Sequence, residues 1–264
     1  MIQRSIVVAE DLGSGTEADR RCGKTVRQVA SEVSYFLQED LRVLEGGPAQ
    51  EILKTVHSWP RPEMVIMGTQ GARGLEQFLE GSVAEKVILS SQRPVLVLGP
   101  RAQEKFQGLR YHKPRRILVS TDLTRLCRPA EQYAMSLAAR LNAELVLFHS
   151  VYDQIKRTQE ASVLSGFANF DLEKMFQKMT RDALSLLEKK QKHLQKIVGR
   201  CEIKMGERGM AITEALLNES AMNYCMVVMG THSHRHALLR AFLGSSAREM
   251  ILRADLPVVV VHGR

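Results

Sequence analysis

Glycines 68, 71, 74 and 81 punctuate the stretch Met67-Gly-Thr-Gln-Gly-Ala-Arg-Gly-Leu-Glu-Gln-Phe-Leu-Glu-Gly-Ser-Val83, directly after the apolar run Met64-Val-Ile-Met67. Glycine lets a backbone come close to an anion, and the unpaired amides of a helix start point toward it with the favourable end of the dipole. Gly68 follows a strand-like run and Gly81-Ser82 precedes a helix-like one, so the placement suits phosphate. Ser82 adds a hydroxyl donor or simply caps the helix. This is no P-loop, since no Gly-Lys-Ser/Thr follows, and no dinucleotide fingerprint, since G-x-G is missing. On glycine spacing alone, a phosphate cradle and a plain strand-to-helix loop stand level.

A second stretch has the same plan: Gly230-Thr-His-Ser233, then ten residues before Gly244-Ser245-Ser246. His232, His234 and His236 alternate within it. With no carboxylate or cysteine close by, a solvated or phosphate-facing loop is expected there rather than a metal site. Neither stretch has a nucleophile–base pair, a G-x-S-x-G elbow or paired acids. The chemistry expected is binding, with at most slow hydrolysis in which Asp11 or Asp122 positions a water.

The two stretches belong to an internal repeat. Met64-Val-Ile-Met-Gly-Thr69 returns as Met226-Val-Val-Met-Gly-Thr231, and Pro94-Val-Leu-Val-Leu98 returns as Pro257-Val-Val-Val-Val261, at offsets of 162 and 163 residues. Ile6-Val-Val-Ala-Glu-Asp-Leu12 returns as Ile117-Leu-Val-Ser-Thr-Asp-Leu123, but at an offset of only 111. The first copy is therefore 51 residues shorter between its first strand and the point where the longer offset begins.

In the second copy, strands are expected at 116–120, 144–151, 202–204, 226–229 and 257–261. Helices are expected at 130–141, from 171 onward, near 211–221 and from 245. The long helix from Asp171 carries Leu172, Met175, Phe176, Met179, Ala183, Leu186 and Leu187 at helical spacing. Near-continuous apolar strands alternating with helices argue a doubly wound α/β domain with a parallel sheet covered on both faces. The first copy has a strand at 5–9, one helix at 16–37 with Cys22, Val26, Val29, Ala30, Val33 and Phe36 on its apolar stripe, and a strand at 40–44. It has lost one strand and one helix, so four strands are expected there against five. Residues 1–100 and 116–264 read as two domains, with 101–115 as a linker rich in charge, Gly and Pro.

Composition is that of a soluble globular protein, 44% apolar and 25% charged, with no apolar run near the ~20 residues a membrane span needs. The N-terminus enters a strand without signal-peptide regions, so a cytoplasmic protein is expected. Cys22, Cys127, Cys201 and Cys225 show no metal spacing and read as reduced structural thiols, and the methionines flanking each glycine stretch read as core. The net charge of +8 suits an acidic partner. Its scatter, with little aromatic interleaving, argues against nucleic acid.

The motif Gly68-x2-Gly71-x9-Gly81-Ser82, flanked by MVIMGT and SVAEKVILSSQRPVLVL, resembles the nucleotide-binding pattern of the universal stress protein family over nearly the whole chain. Asp11, and Asp122 in the repeat, look like the family's aspartate at the adenosine end of bound ATP. The resemblance implies two tandem adenine-nucleotide α-hydrolase-like domains and a stress-response protein that binds ATP or a related nucleotide, with or without Mg2+. The residues implied are Asp11, Gly68, Gly71, Gly81 and Ser82 in the first copy, and Asp122, Gly230, Gly244, Ser245 and Ser246 in the second. It also implies antiparallel pairing of the last strands, here 94–98 with 257–261 within one molecule. Members lacking the loop bind no nucleotide, so a scaffold engaging a protein partner, or a homodimer, is the alternative.

Each copy departs from the family pattern. The first has lost the strand whose end contacts adenine. The second has Ser150 where valine usually follows histidine, and Ser233 in place of a loop glycine. The first copy's loop is the closer match.

Overall fold

The computed structural model describes residues 5–10, 17–45, 49–58, 62–69, 83–109, 115–152, 155, 171–207, 210, 212–220, 223–231 and 243–262. Among these residues nine strands form one sheet: β1 (Ser5–Glu10), β2 (Asp40–Glu45), β3 (Pro62–Gly68), β4 (Val95–Leu98), β5 (Arg116–Ser120), β6 (Glu144–His149), β7 (Cys201–Met205), β8 (Met226–Gly230) and β9 (Val258–Val261). Their order is β2-β1-β3-β4-β9-β8-β5-β6-β7. Every pairing is parallel except that of β4 with β9, which is antiparallel at the centre. The first half of the sheet thus holds four strands and the second five.

Helices connect the strands: α1 (Glu17–Leu37), α2 (Ala49–Ser58), α3 (Val83–Ser90), α4 (Pro100–Lys105), α5 (Arg128–Leu141), α6 (Leu172–Val198), α7 (Ile212–Ser220) and α8 (Ser245–Arg253). The inner strands bury nearly everything they carry: Ile6, Val7 and Val8 in β1, all of β4 and β9, and Ile117 to Val119 in β5. Such runs need cover on both faces, which fits helices above and below a parallel sheet. In α1 the side chains of Val26, Val29, Ala30, Val33 and Leu37 are buried, as the 3.6-residue period requires. In α6 the buried positions are Ala183, Leu187 and Leu194, while Leu186 is 47% exposed. Leu186 sits at the margin of the stripe, so apolar character alone misplaces it. The helix starts at Asp171, whose carboxylate accepts from the Lys174 amide at 3.0 Å, and stops at Gly199, which takes φ +76°.

The shorter half is closed up rather than left with a gap. By sequence offset β2 corresponds to β7, yet it pairs directly with β1, the place that β6 holds beside β5. One helix, α1, spans what α5 and α6 span in the other half. The resulting edge strand leaves Leu41 and Val43 exposed.

The segment following β4, expected to be a plain linker, contains the short helix α4. Pro100 occupies its first turn, where a missing N–H costs nothing, so proline starts a helix here instead of breaking one. Beyond it, Phe106 and Leu109 are buried, and the buried carboxylate of Glu32 on α1 accepts from the Leu109 amide. Gln28 donates to the Gln107 carbonyl at 3.0 Å. Arg140 on α5 reaches the other way, bonding the Leu37 carbonyl and the carboxylates of Glu39 and Glu63. Among the described residues no helix is long and apolar enough to cross a membrane.

Candidate functional site

In an open α/β sheet, the chain leaves one strand to opposite sides at a switch point, and the crevice at the carboxyl ends there is where ligands sit. In the second half this point lies between β5, which pairs with both β6 and β8, and β8 itself. A cleft open to solvent occupies it. Ser120 and Asp122 line it from the end of β5, Gly230 and Thr231 from the end of β8, and Gly244, Ser245 and Ser246 from the start of α8. The structure therefore gathers all five second-half residues singled out by sequence: Asp122, Gly230, Gly244, Ser245 and Ser246.

Local chemistry explains how each is held. Asp122 leaves the strand into a tight turn, its Oδ1 accepting from the Thr124 amide at 2.8 Å and hydroxyl at 2.6 Å. The next residue, Leu123, has φ +63°, unusual for a side chain of this kind, and its amide bonds Thr121 Oγ1 at 3.0 Å. That turn brings the Asp122 carboxylate to the cleft wall. On the opposite wall, the Gly244 amide donates to the Thr231 carbonyl at 3.0 Å, and the Thr231 amide to Val261 at 3.1 Å. This ties the helix start to the ends of β8 and β9. Within α8 the Arg248 amide bonds the Gly244 carbonyl, so the amides of Ser245, Ser246 and Ala247 precede the first intrahelical donor. They form the donor end of the helix dipole at the cleft, with two serine hydroxyls beside them.

Behind Asp122 lies a buried polar cluster that sequence reasoning did not find. Thr121 Oγ1 donates to Glu131, which also pairs with Lys190. His149 Nδ1 donates to the Thr121 carbonyl at 2.8 Å, which fixes its proton on Nδ1. Burial holds the His149 pKa below its ordinary value, against the opposing effects of the Thr121 bond and of Asp122. Cys127 also lines the cleft, its sulfur accepting from the Asp122 amide at 3.4 Å. Burial, then the negative charge of Asp122, pushes its thiol well above the usual range. Cys201 and Cys225 are likewise buried, and burial pushes each up to about 12.

Ser150 is buried at the end of β6, where its hydroxyl accepts from the Tyr152 amide. Gly206 packs so closely on it that an added Cβ would lie 2.9 Å from the Ser150 Cβ. The His149 carbonyl accepts from the Gly206 amide at 2.8 Å, continuing the β6–β7 pairing, and β6 ends at His149, before the expected Val151.

In the first half, Gly68 closes β3 opposite Leu98, as Gly230 closes β8 opposite Val261. Asp11, Gly71, Gly81 and Ser82 lie outside the described residues, as do Ser233, His232, His234 and His236.

The family model described as the universal stress protein family matches residues 5–99 and again 113–262. The chain belongs to the universal stress protein family. Among curated relatives, Universal stress protein MJ0531 of Methanocaldococcus jannaschii is 40% identical over 75 residues, 28% of this chain and 42% of that protein. Universal stress protein MJ0577 of the same organism is 31% identical over 83 residues, 31% and 49% of the two chains. The chain thus spans less than half the length of either curated relative. A universal stress protein from Archaeoglobus fulgidus shares the fold at a TM-score of 0.51 and 18% identity, with 98% of this chain and 86% of that one covered. A functionally unknown protein of Pseudomonas aeruginosa PAO1 does so at 0.56 and 13% identity, with 99% and 93% covered. These last two likenesses speak for the fold.

Proposed function

We propose that this universal stress protein binds ATP or a related adenine nucleotide in the second-half cleft and acts in stress response through its bound state. The observation that carries the reading is the meeting of Asp122 with the α8 start, Gly244 to Ser246, across one switch-point crevice. The amides of Ser245 to Ala247 and the two serine hydroxyls take the phosphates, where the helix dipole favours negative charge. The Asp122 carboxylate, fixed by Thr124, accepts hydroxyls of the ribose. Gly230 and Gly244 let backbone approach the ligand without a side chain between. A Mg2+ ion accompanying the phosphates would neutralise part of their charge.

Among the described residues lining the cleft, no nucleophile is paired with a histidine or lysine base. Cys127, the one thiol among the described lining residues, is held protonated. The function is therefore binding, with the first half's Asp11, Gly68, Gly71, Gly81 and Ser82 offering a second site of the same kind. The test is to denature the purified chain and analyse what it releases, then to titrate ATP into ligand-free protein while following thermal unfolding. Released adenine nucleotide, or a midpoint that climbs with ATP, is expected. Neither release nor a shift would leave the scaffold reading in its place.

A further inference from the structure

The antiparallel pairing at the centre of the sheet has a symmetry that the parallel pairings lack. The register is Val95 with Val260, Leu96 with Val259 and Val97 with Val258. Under the 163-residue offset, Leu96 is the counterpart of Val259, and the flanking pairs exchange. A pseudo-twofold axis therefore passes between Leu96 and Val259, and the contact is isologous: each position meets its own counterpart or that of a neighbour. The strands themselves do not say which half is which. Two first halves, or two second halves, would present the same apolar rows to each other.

The helices beside these strands do. Aligned at the same offset, α3 and α8 place Glu85 opposite Arg248, and these two side chains meet. Arg248 Nη2 lies 2.7 Å from Glu85 Oε1, with the side chains 23% and 6% exposed respectively. The same carboxylate oxygen accepts from the Leu243 amide at 3.2 Å, which lies next to the α8 start. At one position of the repeat the two copies thus carry opposite charges, and the twofold brings that position onto itself. Pairing two first halves would bury carboxylate against carboxylate. Pairing two second halves would bury guanidinium against guanidinium, and arginine cannot shed its charge.

We propose that Glu85 and Arg248 are the specificity pair of the central interface, by which a first half accepts a second half and rejects a half of its own kind. Like-with-like contacts would join one chain to another, as dimers or longer assemblies, in place of the contact within a chain, so rejecting them keeps the sheet closed within one molecule. This inference does not depend on nucleotide binding.

The test uses the full chain with charges reversed singly, Glu85→Arg and Arg248→Glu, and together. Each single reversal sets like charges across the axis and lowers the thermal midpoint by roughly 6–12 °C. The double reversal restores opposite charges and recovers at least half of that loss, short of all because the Leu243 amide loses its acceptor. A double variant no more stable than the worse single variant overturns the proposal. A second measurement reads specificity directly. The two single variants, unfolded and refolded together, carry complementary charges between chains, first half to first half and second to second. Native mass spectrometry is expected to show mixed dimers well beyond the exchange between two mass-tagged wild-type copies. No excess over wild type overturns the proposal even where the single variants fail to fold alone.

Discussion

Asp122 shows how a residue's role is set by its supports. Its turn is held by Thr124 and by the left-handed Leu123, so the carboxylate is already placed before any ligand arrives. A hydrogen bond to a charged group contributes about 1.5–3 kcal/mol. Asp122→Ala is therefore expected to weaken ATP roughly 10- to 100-fold in equilibrium dialysis, and unchanged affinity would remove Asp122 from the site. The residue types and the repeat offset make Asp122 legible in sequence, as they do Gly230 and Gly244 to Ser246. The cluster behind it is not legible, because Glu131, His149 and Lys190 come from three helices and strands with no shared spacing. His149 gives that cluster a pH signature. Its folded pKa lies below the ordinary 6.5, so the imidazole is neutral in both states above that value and its contribution to stability is complete there. As pH falls below about 6.5 the unfolded chain takes up the proton first, and stability is lost at no more than about 1.4 kcal/mol per pH unit until the folded pKa is passed. Unfolding free energies from pH 7.5 to 5 are expected to fall less steeply in His149→Gln than in the parent, and identical slopes would contradict this.

At the scale of elements, the periodicities carry most of the fold. The expected and observed bounds of β5 coincide, and α5, α6, α7 and α8 begin within two residues of their expected starts. The misses fall at particular places. The segment after β4 reads as a linker, yet Pro100 opens α4 within it, and β6 ends at His149, two residues before the expected Val151. The shift of β2 into the place beside β1 is a pairing decision between distant segments, which no local pattern records. Gly99, between β4 and α4, is another long-range demand. Its φ of −70° suits any residue, yet an added Cβ would lie 1.6 Å from the Ile251 carbonyl oxygen of α8. Backbone cannot yield as a side-chain tip can. Gly99→Ala is expected to destabilise the chain by about 2 kcal/mol or more in denaturant unfolding, and a change under half of that would show that the two halves separate there at little cost.

At the scale of the whole molecule, the tandem chain forms by itself the antiparallel join that closes two sheet edges at once. The repeat offsets announce the two related halves and the missing strand and helix of the first; that the last strands meet is what the family resemblance implies. The charge reversal at Glu85 and Arg248 is also written in the offset, but its meaning emerges only when the twofold superposes the two positions. Among the described residues the two halves differ. The first has the closer loop motif and a sheet one strand short, while the second has the fifth strand and a cleft that gathers its candidate residues. Calorimetric titration of ATP into nucleotide-free protein, with Gly244→Ala and Gly81→Ala run alongside, tests the central claim most directly. Gly244 already adopts φ −57°, which alanine tolerates, so the variant is expected to keep its fold while its methyl group would obstruct the proposed phosphate position. Binding to the parent that weakens at least about tenfold in Gly244→Ala is the predicted result. No heat in the parent, or full affinity in Gly244→Ala with loss only in Gly81→Ala, would contradict the assignment of nucleotide to the second half.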